Sequence, residues 1–179
     1  MSISQPLTPL DKKQMILGAL IFLAFLGTWP ISFLKIGTDI YQGDVYRILY
    51  IHVPFAFACF LCSLLLFIFS LLVLKNKQSP IIPYCRSTAE LGLFFTCLTL
   101  LTGSIWGKAT WGTWWTWDAR LTTTFILAIL YGGYLTLWSS IDSAPLRLKS
   151  CAILGILIFL DVPIIYKSVT WWRTLHQPP

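Results

Sequence analysis

An all-α, polytopic membrane bundle is the fold that this sequence predicts. Three observations predict it: five apolar runs of membrane-crossing length, charges held to the ends of those runs, and tryptophan gathered on one side of them. Of 179 residues, 56% are hydrophobic and only 11% charged, with a mean hydropathy of +0.74. That composition excludes an ordinary soluble globule. The net charge of +6 comes from thirteen Lys and Arg scattered at the ends of apolar runs. Such spacing anchors and orients helices in a bilayer and does not make a phosphate-tracking surface, so nucleic acid is not an expected partner.

The first span is expected at 15–34, where about twenty apolar residues cover a hydrocarbon core of roughly 30 Å. Asp11, Lys12 and Lys13 mark its start, and with no small-x-small cleavage site after it the segment is expected to remain as a span. The second is expected at 53–74, closed by Lys75, Asn76 and Lys77. The third, at 91–106, carries Thr96, Thr99, Thr102 and Ser104, whose hydroxyls can return to backbone carbonyls within a helix. That polarity predicts a helix facing other helices. The fourth and fifth are expected at 121–138 and 151–166, with Asp142, Pro145, Arg147 and Lys149 between them. Asp161 lies within the fifth, two residues before Pro163, where an acid is costly unless neutral, paired or wetted. The whole chain is read as one membrane domain, 1–179.

Of the five cysteines, Cys59, Cys62, Cys85, Cys97 and Cys151, four sit within or beside apolar stretches and read as small buried hydrophobes. Cys59 and Cys62 form a CxxC, but it lies inside an apolar run and no histidine follows it as covalent haem attachment would need.

Orientation by charge is nearly balanced. Lys12, Lys13, Lys75, Lys77, Arg86, Arg147 and Lys149 fall on one side, and Lys35, Arg47, Lys108, Arg120, Lys167 and Arg173 on the other. Seven against six leans toward a cytoplasmic N-terminus. Cations on the outer side are then available to a ligand.

The chain has two histidines, His52 before the second span and His176 after the fifth. An even number of spans separates them, so both emerge on one face whichever way the chain is oriented. The segment 107–120, GKATWGTWWTWDAR, shares that face, and so do eight of the nine tryptophans: Trp29, Trp106, Trp111, Trp114, Trp115, Trp117, Trp171 and Trp172. Only Trp138 belongs to the other face, whereas an ordinary aromatic belt populates both interfaces. Two imidazoles, a bank of indoles and nearby cations suit a large flat macrocycle that carries iron and two carboxylates: haem b, iron protoporphyrin IX. His52 and His176 are the candidate axial ligands. Trp111, Trp114, Trp115 and Trp117 are candidate porphyrin contacts, and Arg47, Lys108 and Arg120 candidate propionate partners. Asp118 could orient an indole N–H or pair with an arginine.

The run SIWGKATWGTWWTWDARLT at 104–122 resembles the WWD motif of cytochrome c maturation proteins, and specifically the CcmC (haem exporter protein C) family. YRILYIHVP at 46–54 resembles the family's segment bearing the first haem-ligand histidine, and VTWWRTLHQ at 169–177 the segment bearing the second. The likeness covers nearly the whole chain. It implies a multi-pass protein of the bacterial inner membrane that holds haem at its periplasmic face and helps load it covalently onto a membrane-anchored haem chaperone, CcmE. By the same likeness its partners are CcmD and the ABC transporter formed by CcmA and CcmB. No free-standing enzyme activity is expected, although positioning the reactants could itself promote covalent attachment.

Two features depart from the family. A sixth span usually follows the second histidine, whereas this chain stops at Pro179, as a fragment or shortened member would. Asp161 is also not expected at its place. The larger WWD synthases carry further intramembrane histidines that this sequence lacks, so attachment of haem to apocytochrome is not its expected task. Two other readings compete. One is a b-type electron carrier using the same two histidines, although such carriers usually place them inside helices. The other is a transporter subunit conducting haem, although no polar path crosses the spans.

Overall fold

The computed structural model describes residues 12–35 and 37–176. Asp11 and the side chain of Trp29 lie outside that description. The regular elements of the described residues are helices: α1 Lys12–Lys35, a 3-10 turn Asp44–Ile48, α2 Leu49–Lys75, α3 Ile82–Trp111, α4 Ala119–Ser140 and α5 Ala144–Trp171. Four of them, α2 with its leading turn, α3, α4 and α5, are long and apolar enough to cross a membrane. A helix that satisfies its own backbone is the form a lone apolar segment must take in lipid.

Each helix overruns the apolar stretch that announced it. Helix α3 starts at Ile82, nine residues before the expected 91, and ends at Trp111. Hydropathy marks the lipid-facing part of a helix, while hydrogen bonding continues into its polar ends. There Arg86 pairs with Glu90 at 2.8 Å on an exposed turn, and Gly112 ends the helix in the left-handed region at φ +78°. Helix α2 likewise begins at Leu49 rather than 53, so His52 lies inside its first turn and not before the helix.

The chain divides into two units, Met1–Arg47 and Ile48–Pro179. In the first, α1 precedes a tight loop in which Asp39 Oδ1 accepts the backbone N–H of Tyr41 at 2.9 Å and of Gln42 at 2.8 Å. Gly43, at φ +59°, closes the loop against Asp39.

In the second unit α2 packs on α3 and α5, and α4 packs on α3 and α5, so the four helices form a ring. Leu66, Leu127, Tyr131, Tyr134 and Ile158 fill its middle, all essentially without solvent contact. Tyr131 reaches from α4 to α2. The Tyr131 hydroxyl lies 2.9 Å from Ser63 Oγ and 3.3 Å from the Cys59 carbonyl, to which Ser63 Oγ also donates at 2.9 Å. Glycine makes these approaches possible. A Cβ at Gly92 would press into the Tyr131 ring, and one at Gly155 would meet Ser70 Oγ.

The hydroxyls of α3 behave as expected: Thr96, Thr99 and Thr102 donate to the carbonyls of Gly92, Phe95 and Leu98 at 2.7, 2.8 and 2.7 Å. Cys59, Cys62, Cys85 and Cys151 are buried and Cys97 is exposed.

Asp161 is 7% exposed on the packed face of α5, and its Oδ2 has no hydrogen-bond partner. Asp161→Leu is expected to stabilise the bundle by about 1–3 kcal/mol, by removing a buried unsatisfied acceptor. Thermal unfolding in detergent followed by circular dichroism measures this. A lower midpoint in the variant would mean that the carboxyl has a stabilising partner.

Candidate functional site

Alternating helix directions bring the start of α2, the end of α3, the start of α4 and the end of α5 to one end of the ring. A cavity of about 340 Å3 opens there, lined among others by His52, Thr99, Gly103, Trp106, Arg120 and His176. That volume lies within the range of small-molecule sites. Val53 and Phe57 of α2 and Tyr166 of α5, all exposed, border its open side. Inward it ends one turn past Cys59, where Tyr131 and Ser63 bridge the ring.

Both imidazoles are held by one nitrogen. His52 Nδ1 lies 3.0 Å from Thr102 Oγ1, a hydroxyl that also lies 2.7 Å from the Leu98 carbonyl. This contact fixes the ring through Nδ1; with the Nδ1–H tautomer, the one the hydroxyl's bond to Leu98 favours, Nε2 carries the lone pair. His176 Nδ1 lies 2.8 Å from Asp118 Oδ2. A carboxylate only accepts, which places a His176 proton on Nδ1. Two imidazoles each held from behind through Nδ1 suit metal ligation through Nε2.

Asp118 does three things at once. It caps α4 by accepting the Leu121 N–H at 2.8 Å, accepts the Thr174 hydroxyl at 2.6 Å, and holds His176. Burial alone would push its carboxyl up, but the hydrogen bonds from His176, Leu121 and Thr174 outweigh that and hold it well below the usual carboxylate range. A depressed acid contributes its stability above its unfolded value, near pH 4, and loses it only as pH falls through the lower folded value. Asp118 is therefore ionised throughout the neutral range.

Trp111 meets the His176 ring edge-on at 4.7 Å and Trp106 at 5.3 Å, so the indoles brace one imidazole. The other expected indoles stand apart from the cavity. Trp114 and Trp117 are exposed, at 59% and 74%, and Trp115 packs edge-on against Trp117 and Phe125. Lys108 donates to the Gly112 carbonyl at 2.9 Å, where it helps to end α3. Arg47 belongs to the first unit and pairs with Asp44 at 3.2 Å. Of the cations singled out in the sequence, only Arg120 lines the cavity.

In the sequence Thr102 was read only as a hydroxyl serving its own backbone and Thr174 was not singled out, because a threonine in a span or near a chain end ordinarily has that role. Trp106 could have been found: with Thr99 and Gly103 it falls on one face of α3 at positions four and seven residues apart. The location of His52 inside α2 removes half of the objection to an electron carrier, while His176 remains beyond the end of α5.

The family model described as Heme exporter protein C matches residues 5–179. The chain is 38% identical to Heme exporter protein C of Escherichia coli strain K12 over 163 residues, covering 90% of this chain and 65% of that protein. It is 40% identical to Heme exporter protein C of Haemophilus influenzae strain Rd over 166 residues, 90% of this chain and 66% of that one. A putative cytochrome c biosynthesis ccmC-like mitochondrial protein of Marchantia polymorpha is 39% identical over 166 residues, 92% of this chain and 69% of its own length.

Proposed function

The chain belongs to the Heme exporter protein C (CcmC) family, and from that premise we propose that it is a haem-handling protein of cytochrome c maturation. In this reading it takes b-type haem between His52 and His176 and presents it to a periplasmic haem chaperone. One observation carries the proposal: two histidines 124 positions apart line one cavity, each held from behind through Nδ1. A macrocyclic iron with two open axial positions matches that donor set. Arg120 supplies a guanidinium for a propionate, and Trp106 an apolar wall.

The exposed Trp114 and Trp117, at the same end of the ring, then meet the chaperone and the outer edge of the bound ligand. The chain's own contribution is positioning: it fixes both imidazoles, excludes water from the inner half of the cavity, and leaves one side open for transfer. Helix α1 completes five spans, with the cavity on the periplasmic side of the inner membrane and the haem chaperone, the small protein CcmD and the ABC transporter CcmA/CcmB as partners. The Tyr131 and Ser63 bridge speaks against a haem-conducting path through this ring.

Covalent haem on the chaperone, read by haem-dependent peroxidase staining in a gel, tests the proposal. Loading is expected to require this chain and to fall roughly tenfold or more with His176→Ala. Undiminished loading by that variant would contradict it.

A further inference from the structure

The two imidazoles are tethered by acceptors of unequal strength. His52 Nδ1 meets a single threonine hydroxyl at 3.0 Å that also bonds Leu98, whereas His176 Nδ1 meets at 2.8 Å an aspartate that the Leu121 N–H and the Thr174 hydroxyl hold in place. A charge-assisted hydrogen bond is roughly twice as strong as a neutral one. It draws the Nδ1 proton away from the ring and so raises the electron density at Nε2, which makes His176 the better donor to a metal. Trp111 and Trp106 stand against the His176 ring, whereas the His52 ring lies close to Gly103 of α3, where an added Cβ would come within 3.1 Å of Cε1.

We propose that His176 is the anchoring ligand and His52 the exchangeable one, so that an incoming third ligand takes the His52 position. The inference rests on the haem reading above. It runs against what chain position alone suggests, because His52 is built into a helix and His176 follows the end of one. In the exchange the Fe–Nε2 bond to His52 breaks and a bond to the entering donor forms. No electrons change hands, the His52 lone pair stays on Nε2, and its proton stays on Nδ1 beside Thr102. Thr102 and Asp118 are positioning residues in this scheme.

Carbon monoxide binding to the purified, dithionite-reduced haem complex reads the exchange, since carbon monoxide must displace one histidine. Thr102→Val removes the acceptor that orients His52 and is expected to raise apparent carbon monoxide affinity by roughly 10- to 100-fold. Thr102→Ser keeps the hydroxyl and is expected to restore the parent value. Asp118→Asn is expected to change the affinity less than Thr102→Val does and to lower the iron–histidine stretching frequency, in the resonance Raman spectrum, of the histidine that remains after photolysis. The reverse pattern, Asp118→Asn raising the affinity and Thr102→Val changing only the stretch, would overturn the proposal by making His176 the ligand that leaves. A parent protein without a low-spin haem spectrum before any gas is added would remove the haem reading itself, an outcome visible separately from the exchange.

Discussion

His176→Ala is expected to replace the low-spin bis-imidazole spectrum of the haem complex with a high-spin one and to weaken haem binding by on the order of 100-fold or more. Disrupting the hydrogen bond behind a metal-bound histidine typically costs 10- to 100-fold in affinity, and removing the ligand exceeds that. His52→Ala is expected to change the spectrum in the same direction. The two differ in what they leave behind. Without His52, the Thr102 hydroxyl loses one neutral donor and keeps its bond to Leu98. Without His176, the buried Asp118 carboxylate loses a charge-assisted partner and keeps only Thr174 and the Leu121 N–H. Some loss of stability at that end of the ring should therefore accompany His176→Ala and be nearly absent from His52→Ala. Absorption spectroscopy gives the first comparison and thermal unfolding the second. A haem spectrum unchanged in both variants would rule out this pair as the ligands.

The largest expected effect on stability comes from Gly92→Leu. A Cβ at that position already presses into the Tyr131 ring, which has no solvent contact and is tied through its hydroxyl to Ser63 and the Cys59 carbonyl. The added side chain must either part α3 from α4 or tear that hydroxyl from α2. Overpacking costs about 1–3 kcal/mol and an unmade buried hydrogen bond a similar amount, so a loss of about 2–5 kcal/mol is expected. Unfolding in mixed detergent measures it. Combining Gly92→Leu with Tyr131→Ala should recover part of the loss, because the leucine then occupies space that the ring vacates.

The four spans α2 to α5 and their order were legible because an apolar run bounded by charge has one structural solution in lipid. Helix ends were less legible. The polar first two turns of α3, with Arg86 and Glu90, carry no hydropathy signal, although their i,i+4 pair is ordinary helix chemistry. The common location of His52, His176 and the 107–120 segment followed from counting spans, and the ring realises it. Counting places residues at one end of a bundle but says nothing about which way a side chain points. That is why Trp114, Trp115 and Trp117 read as equal to Trp111 in the sequence, while among the described tryptophans Trp106 alone lines the cavity and Trp106 and Trp111 alone meet His176. The helix-capping role of Asp118 could be read from its place just before an apolar helical run, whereas its bond to a histidine 58 residues away required the folded chain. Thr102 was hidden because its local bond to Leu98 is of the kind that Thr96, Thr99 and Thr124 also make, and nothing local marks the one that also faces an imidazole.

The most direct test is an equilibrium titration of the purified, haem-free chain in detergent with haem, followed at the Soret and visible bands for the parent protein, His52→Ala and His176→Ala. The expected result is saturation at one haem per chain with a low-spin bis-imidazole spectrum in the parent, and loss of that spectrum in each variant. Binding without saturation, or the same spectrum in all three proteins, would contradict a haem site between His52 and His176.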